Sequence, residues 1–201
     1  MKRIGVLLAA GRSGRMGRLK QLLPWPPHSP DAKPLVAAAF DAIAPVCDAM
    51  LVVVGHEAES VIAALGDRKF QSVHVDPNAE MIESVKAGLA LARELDAAAG
   101  VLLHPADHPD VKRETLDELV RAAAASPRSA IMPTCCSKGG HPVLIPAELV
   151  WNIAAYRGSG GLRQFWLDHA DRCVRLPVED PGVTRDIDTP ADYEARKPSA
   201  P

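Results

Sequence analysis

Short apolar runs alternate with helical patterns along most of the chain. Apolar runs of strand length that end at glycine or proline predict strands buried on both faces of a sheet. The clearest run begins at Ile4, and Gly11 follows it closely. The predicted strands are residues 4–9, 51–54, 72–75, 101–103, 130–132, 143–145 and 173–176.

Segments rich in alanine, leucine and glutamate separate these runs, and such residues favour helix. Within 81–95 the apolar residues recur every three or four positions, which gives a helix one apolar stripe. A final helix is expected at Thr189, because Pro190 and Asp192 supply a first-turn proline and a first-turn acid after an N-cap residue. The predicted helices are residues 35–43, 57–65, 81–95, 115–125, 146–156 and 162–169, and the one that starts at 189.

The alternation of apolar strands and helices predicts an α/β fold with a mostly parallel sheet covered on both faces. The sequence has no internal repeat and no linker of domain size, so we expect one domain over residues 1–197 and a disordered tail at 198–201. Ligands of such sheets bind beyond the carboxyl ends of the strands. The loops expected there are 10–20, 55–57, 76–80, 104–110 and 135–142.

Composition excludes several classes of protein. The 201 residues are 47% hydrophobic and 24% charged with a net charge of −2, the balance of a globular protein with a real core rather than a disordered chain. A general nucleic-acid-binding protein would carry a basic excess, so we expect no nucleic-acid partner. No apolar run is long enough to span a membrane, and the N-terminus does not read as a signal peptide. We therefore expect a cytoplasmic protein without a membrane partner.

The four cysteines, Cys47, Cys135, Cys136 and Cys173, lack the CxxC spacing of a structural zinc site. With no secretory signal, reduced thiols are the expectation.

The charges are unevenly distributed. Residues 1–30 contain six lysines or arginines and no acid, whereas the segment 179–194 contains six acids and Arg185 as its one basic residue. Such asymmetry is typical of a functional site, and equally of solvated surface.

A glycine-rich loop follows the first predicted strand, with Gly11, Gly14 and Gly17 spaced three apart among basic residues. Glycines let backbone amides approach an anion, and the arginines and Lys20 supply positive charge. The spacing fits neither a P-loop nor the dinucleotide fingerprint. The loop is therefore either a distinct phosphate-binding loop or a flexible surface loop with incidental arginines.

The segment LAAGRSGRMGRLKQLLP, residues 8–24, resembles the signature LAAGxSxRMGxxKxLLP of the MobA/MocA-like nucleotidyltransferases. Four further motifs follow in the family's order: SVKAGL at 84–89, ADHP at 106–109, GHPV at 140–143 and DIDTPAD at 186–192. The resemblance implies a Rossmann-like, three-layer α/β/α fold of the kind found in nucleotide-diphospho-sugar transferases.

The resemblance also implies a reaction. An enzyme of this family moves a nucleotide from an NTP to a phosphorylated small-molecule acceptor and releases pyrophosphate, with Mg²⁺ as cofactor. Molybdopterin is the leading acceptor, with a sugar phosphate or another phosphorylated molecule as alternatives. Alanine at position 10, where guanylyl-transferring relatives tend to have glycine, favours CTP over GTP. The family context adds a molybdoenzyme or its chaperone as a candidate protein partner.

The motif positions imply roles for individual residues. The implied catalytic residues are Arg15, Lys20 and Asp107, and the implied metal ligands are Asp107 and Asp188, with Asp186 as the rival of Asp188. Without metal, Asp107 would be a turn-capping residue and Asp188 a helix-capping one. The implied nucleotide-binding residues are Ala9, Ala10, Gly11, Ser13, Gly14, Arg15, Lys20 and Ser84. On the acceptor side the resemblance points to His141 and Arg163.

The chain also departs from the family pattern. The family's GMSS reads EMIE at 80–83, which adds two carboxylates beside the expected nucleotide and leaves the base open. His108 stands at the family's glutamine, and 26–32 looks like an insertion, so we expect an altered acceptor site.

Two rival functions stay open. His104, His108 and His141 could form a hydrolytic metal site, although Pro105 and Pro109 prevent the helix that would align the first two. The chain could also be a non-catalytic nucleotide-binding or regulatory relative.

Overall fold

The fold is seen in a computed structural model, which describes residues 2–196. Within this range the chain forms ten strands and seven α-helices. The strands are β1 (Arg3–Leu8), β2 (Pro24–Trp25), β3 (Lys33–Pro34), β4 (Ala49–Val54), β5 (Gln71–His74), β6 (Gly100–Pro105), β7 (Ala130–Cys135), β8 (Lys138–Gly139), β9 (Val143–Ile145) and β10 (Cys173–Pro177). The helices are α1 (Leu35–Ile43), α2 (Ala58–Ala64), α3 (Met81–Leu95), α4 (Arg113–Ala125), α5 (Ala147–Ala155), α6 (Gly161–Asp168) and α7 (Pro190–Glu194).

The main sheet has the strand order β10-β7-β9-β6-β1-β4-β5, and β8 pairs with β7. Strand β1 is central and pairs in parallel with both β4 and β6, so that Val6 lies level with Leu51 and Leu103. The antiparallel pairs are those that β9 makes with β6 and β7, and that of β8 with β7. The predicted mostly parallel α/β sheet is confirmed.

Alternate residues of each central strand face opposite layers, as the two-residue period of a strand requires. Leu7 packs with residues of α1, α2 and α4 on one face. Val6 packs with residues of α3, α5 and α6 on the other face. Both side chains are fully buried, so the sheet is the middle layer of a three-layer α/β/α fold.

The predicted strands and helices are all present, with ends that differ by a few residues. The apolar pattern did not predict β2, β3 and β8, because each has two residues. The expected insertion, 26–32, is the loop that joins β2 to β3. The tail expected at 198–201 lies outside the described residues. Among residues 2–196, no helix has the length and apolar character needed to cross a membrane.

A small third core cluster fixes the glycine-rich segment beside the C-terminal segment. Met16 and Leu23 pack with Ile187 and Tyr193, and the Tyr193 hydroxyl donates a hydrogen bond of 2.6 Å to the carbonyl oxygen of Pro24. The basic segment 1–30 and the acidic segment 179–194 therefore lie next to each other in the fold.

Candidate active site

A cavity of about 470 Å³ opens beyond the carboxyl ends of β1 and β6. Its walls come from the glycine-rich loop, the segment before α3, the 105–108 turn and the segment before α7. The lining includes Ala10, Gly11, Arg12, Ser13, Gly14, Arg15, Lys20, Gln21, Asp76, Met81, Ser84, Asp107, His108, His141, Asp186 and Asp188. The predicted loop 55–57 does not contribute to it, and the predicted loop 135–142 contributes His141 alone.

Lys20 lies between two carboxylates at the centre of this cavity. Its Nζ atom is 2.8 Å from Asp107 Oδ2 and 2.7 Å from Asp188 Oδ1, and its side chain is 12% exposed. Arg15 reaches the other oxygen of Asp188 at 2.6 Å, although the Arg15 side chain is 73% exposed. The two aspartates therefore converge on a single cation.

The charges in this cluster shift one another's pKa values. Burial alone would lower the pKa of Lys20, but the carboxylates of Asp107 and Asp188 outweigh it, and the pKa is raised. Burial likewise opposes ionisation of Asp188, whereas the hydrogen bond from Lys20 and the charges of Lys20 and Arg15 hold its pKa below the usual value. The pKa of Asp186 is raised by burial and by the negative charges of Asp188 and Asp107.

Gln21 holds the glycine-rich loop by side-chain hydrogen bonds, a role that no sequence motif predicted. Its side-chain amide, 2% exposed, donates to the carbonyl oxygens of Ala9 at 3.2 Å and Gly11 at 2.9 Å, and accepts from the Ser13 hydroxyl at 3.0 Å. The Ser13 hydroxyl in turn accepts from the Lys20 amide at 3.0 Å. Gln21 falls at an unspecified position of the resembled signature, so only burial identifies it.

The predicted nucleotide-binding residues divide between cavity and core. Ala10, Gly11, Ser13, Gly14 and Ser84 line the cavity, with Ser84 reaching it from the first turn of α3. Ala9 does not line it: its amide donates to Val53, its carbonyl accepts from Gln21, and its methyl is in the core. Its backbone groups are thus already used within the protein.

The two extra carboxylates of the 80–83 segment do not face the cavity. Glu83 is paired with Lys86 at 2.9 Å, and neither Glu80 nor Glu83 is a lining residue. Met81, 74% exposed, contributes the side chain from this segment to the wall. The expected electrostatic conflict with a polyanion is therefore reduced.

Three histidines pack behind the carboxylates. The His108 ring lies 5.3 Å from the His141 ring and 6.1 Å from the His104 ring, centroid to centroid. His108 Nε2 is 3.7 Å from Asp107 Oδ1, and His104 Nε2 is 2.9 Å from the carbonyl oxygen of His108. Burial, followed by the neighbouring His108, lowers the pKa of His141 to about 4, so His141 is neutral at pH 7.

Two features expected to shape the acceptor site lie elsewhere. Arg163 is exposed on α6 and does not line the cavity, and neither does any residue of the 26–32 loop. His141 and His108 do line it. Of the two predicted acceptor-side residues, the structure therefore brings only His141 to the carboxylates.

The family model for the MobA-like NTP transferase domain matches residues 5–173. This range contains the glycine-rich loop, Lys20, Asp107 and most of the sheet. The chain belongs to the MobA-like NTP transferase family. It is a nucleotidyltransferase, as the signature predicted.

Individual relatives agree with this assignment over nearly the whole chain. The molybdenum cofactor guanylyltransferase of Pseudomonas aeruginosa (strain LESB58) is 31% identical over 92% of this chain and 89% of its own length. The purine catabolism protein PucB of Bacillus subtilis is 28% identical over 95% of this chain and 94% of its own length. Relatives of this transferase therefore carry names from more than one process.

A solved structure has the same fold. Rv0371C from Mycobacterium tuberculosis H37Rv, in a complex with manganese, is 26% identical and superposes with a TM-score of 0.75 over all of both chains. The Rossmann-like nucleotidyltransferase fold implied by the signature is confirmed.

The carboxylates of this transferase fit a divalent cation. Asp107 Oδ1 is a buried acceptor without a hydrogen-bond partner. The other oxygen of Asp107 and one oxygen of Asp188 both accept from the Lys20 ammonium group. Mg²⁺ takes one or two protein carboxylates and completes its shell with phosphate oxygens and water. Among residues 2–196, no cluster of three or more His, Cys, Asp or Glu side chains suited to a metal is found.

Proposed function

We propose that this nucleotidyltransferase moves a nucleoside monophosphate from a Mg²⁺-bound NTP to the phosphate of molybdopterin and releases pyrophosphate. The observation that carries the proposal is the Lys20 ammonium group between Asp107 and Asp188, in a cavity walled by the glycine-rich loop. The name of the Pseudomonas aeruginosa relative supports molybdopterin as the acceptor.

The reaction requires alignment and charge neutralisation more than covalent help. An oxygen of the acceptor phosphate attacks the α-phosphorus, a new P–O bond forms, and the bond from the α-phosphorus to the bridging oxygen breaks. The electron pair of that bond leaves with pyrophosphate. Mg²⁺, held by Asp107 and Asp188, would neutralise charge on the phosphate oxygens.

Lys20 and Arg15 are the cations for the phosphates. Both side chains pair with Asp188, so binding of a metal–nucleotide complex would exchange this partner for phosphate oxygens. The amides around Gly11 and Gly14 lie on the same wall and can donate to phosphate oxygens. Ser84, at the positive end of α3, adds a hydroxyl donor.

CTP is the nucleotide that we favour. Ala10 lines the cavity, and the resemblance to the family associates alanine rather than glycine at this position with CTP. The guanylyl name of the Pseudomonas aeruginosa relative makes GTP the alternative to test. Asp186 stays the rival of Asp188 as second metal ligand, since both line the cavity.

On the acceptor side we assign His141, which is neutral and lines the cavity beside Asp107. Arg163 would contact an acceptor only if that molecule extends beyond the cavity. We place the reaction in the cytoplasm, where reduced thiols such as the four free cysteines are the rule, with a molybdoenzyme or its chaperone receiving the product.

The experiment is a matrix of four NTPs against three acceptor conditions: molybdopterin, a hexose 1-phosphate and no acceptor. Pyrophosphate release and the mass of the nucleotide adduct are measured with Mg²⁺ and again with EDTA. We expect release and adduct with CTP and molybdopterin, and neither with EDTA. Turnover with the sugar phosphate but not with molybdopterin would refute molybdopterin as the acceptor. Nucleotide binding without pyrophosphate release from any pair would refute nucleotidyl transfer as the reaction.

A further inference from the structure

Two adjacent cysteines, Cys135 and Cys136, lie at the end of β7 outside the nucleotide cavity. Both are free thiols, and neither is a cavity-lining residue. Their Sγ atoms are 3.8 Å apart. Cys136 is exposed and Cys135 is half-buried, so solutes can reach the pair.

The turn after β7 explains why the two sulfur atoms converge. In a regular strand, adjacent side chains point to opposite faces. Cys135 ends β7 and pairs with Lys138 of β8, so Cys136 and Ser137 form a two-residue hairpin turn. Their φ angles are 51° and 65°, in the left-handed region that type I′ turns require. The turn therefore brings the Cys136 sulfur to the side of the Cys135 sulfur.

The separation of the sulfur atoms favours a bridging ion over a direct disulfide. Disulfides usually join residues whose Cα atoms are about 4.4–6.8 Å apart, whereas adjacent Cα atoms are about 3.8 Å apart, so a direct bond here would be strained. A tetrahedral ion with metal–sulfur bonds of about 2.3 Å spans sulfur atoms about 3.8 Å apart. The observed distance of 3.8 Å between the two Sγ atoms matches that of a bridging ion.

We propose that Cys135 and Cys136 form a two-thiolate chelating site for a thiophilic divalent cation of the zinc group. Binding forms two metal–sulfur bonds and releases the two S–H protons to solvent, with no change of oxidation state. Water completes the coordination, since no third His, Cys, Asp or Glu within the described residues joins the pair in a metal-binding cluster. The site is independent of nucleotidyl transfer.

The test is a titration of the reduced, full-length protein with Cd²⁺, whose sulfur-to-metal charge-transfer absorption reports thiolate ligands alone. Wild type and the control Cys173→Ser are expected to bind one Cd²⁺ per chain with equal affinity. Cys135→Ser and Cys136→Ser should each weaken binding by about 100-fold, because each leaves only a single-point attachment.

Cys136→Ser is the deciding variant, because an exposed turn residue can change without loss of fold, which its unchanged thermal transition would verify. Affinity in Cys136→Ser equal to wild type would overturn the site, as would the absence of the absorption band in wild type. Loss of the band in Cys173→Ser would assign the ion to a different thiol and also overturn it.

Discussion

Lys20 is the residue around which the site is arranged. Its ammonium group lies between Asp107 and Asp188, and its amide is held by Ser13. The resemblance to the family singled out both aspartates and the lysine from a single sequence. It did not indicate that Lys20 would pair with both aspartates, because that depends on the fold bringing residue 188 back to residue 20.

Replacement of Lys20 by methionine removes the cation that the transferred phosphate needs. We expect kcat/KM to fall by about 10²–10³-fold, the usual effect of losing one transition-state donor. Pyrophosphate release with Mg²⁺ and nucleotide measures it. Lys33→Met is the matched control, since Lys33 pairs with Asp41 outside the cavity. Equal losses in the two variants would contradict the role of Lys20.

Gln21 falls at an unspecified position of the signature and has no other sequence signal, yet its side chain forms hydrogen bonds with three polar groups of the loop. In Gln21→Leu the buried carbonyl of Ala9 and the more exposed carbonyl of Gly11 both lose their donor. We expect about 2 kcal/mol less stability in urea unfolding and weaker nucleotide binding. Gln164→Leu, which removes one hydrogen bond to Asp168 on α6, should change the stability and the nucleotide affinity by much less.

At the scale of elements, the strands of the parallel sheet were predictable because burial on both faces leaves uninterrupted apolar runs. The antiparallel orientation of β9 was not predictable, because a run of three apolar residues does not indicate the direction of a strand. Neither was the third core cluster, in which Tyr193 and Ile187 fix the glycine-rich segment through contacts distant in sequence.

Helix α3 depends on Gly88 for its close approach to the sheet. A methyl group there would lie 2.6 Å from Val6 Cγ1 and 2.9 Å from Val53 Cγ2. Alanine favours helix over glycine by about 1 kcal/mol, but we expect the overpacking to dominate and Gly88→Ala to cost about 1–3 kcal/mol. The test is a double-mutant cycle with Val6→Ala: the cost of Gly88→Ala should shrink in that background, and strict additivity would refute the clash.

At the scale of the whole molecule, the net charge of −2 conceals a division that the fold uses. The basic first thirty residues and the acidic 179–194 segment meet at Arg15, Lys20 and Asp188. The net charge argues against a general nucleic-acid-binding protein, but it has no bearing on a site for a single nucleotide.

The buried histidines make stability depend on pH. Because the folded pKa of His141 is about 4, below its ordinary value of 6.5, the unfolded state takes up the proton first. The contribution of neutral His141 to the free energy of unfolding is fully present above pH 6.5. It is lost as the pH falls towards 4, and the loss is on the order of 3 kcal/mol. In urea unfolding across this pH range, the free energy of unfolding of His141→Gln should fall less than that of wild type. The exposed control His74→Gln should follow wild type, and a parallel loss in His141→Gln would contradict the assignment.

In the proposed reaction Asp107 binds the metal–nucleotide complex, and Asp107→Asn removes the charge that this role requires. The measurement is the rate of pyrophosphate release with saturating Mg²⁺, CTP and molybdopterin, compared with Asp117→Asn on the exposed face of α4. We predict that Asp107→Asn loses at least about 10²-fold in rate while its unfolding transition stays cooperative, and that Asp117→Asn retains the wild-type rate. A wild-type rate in Asp107→Asn would contradict the account.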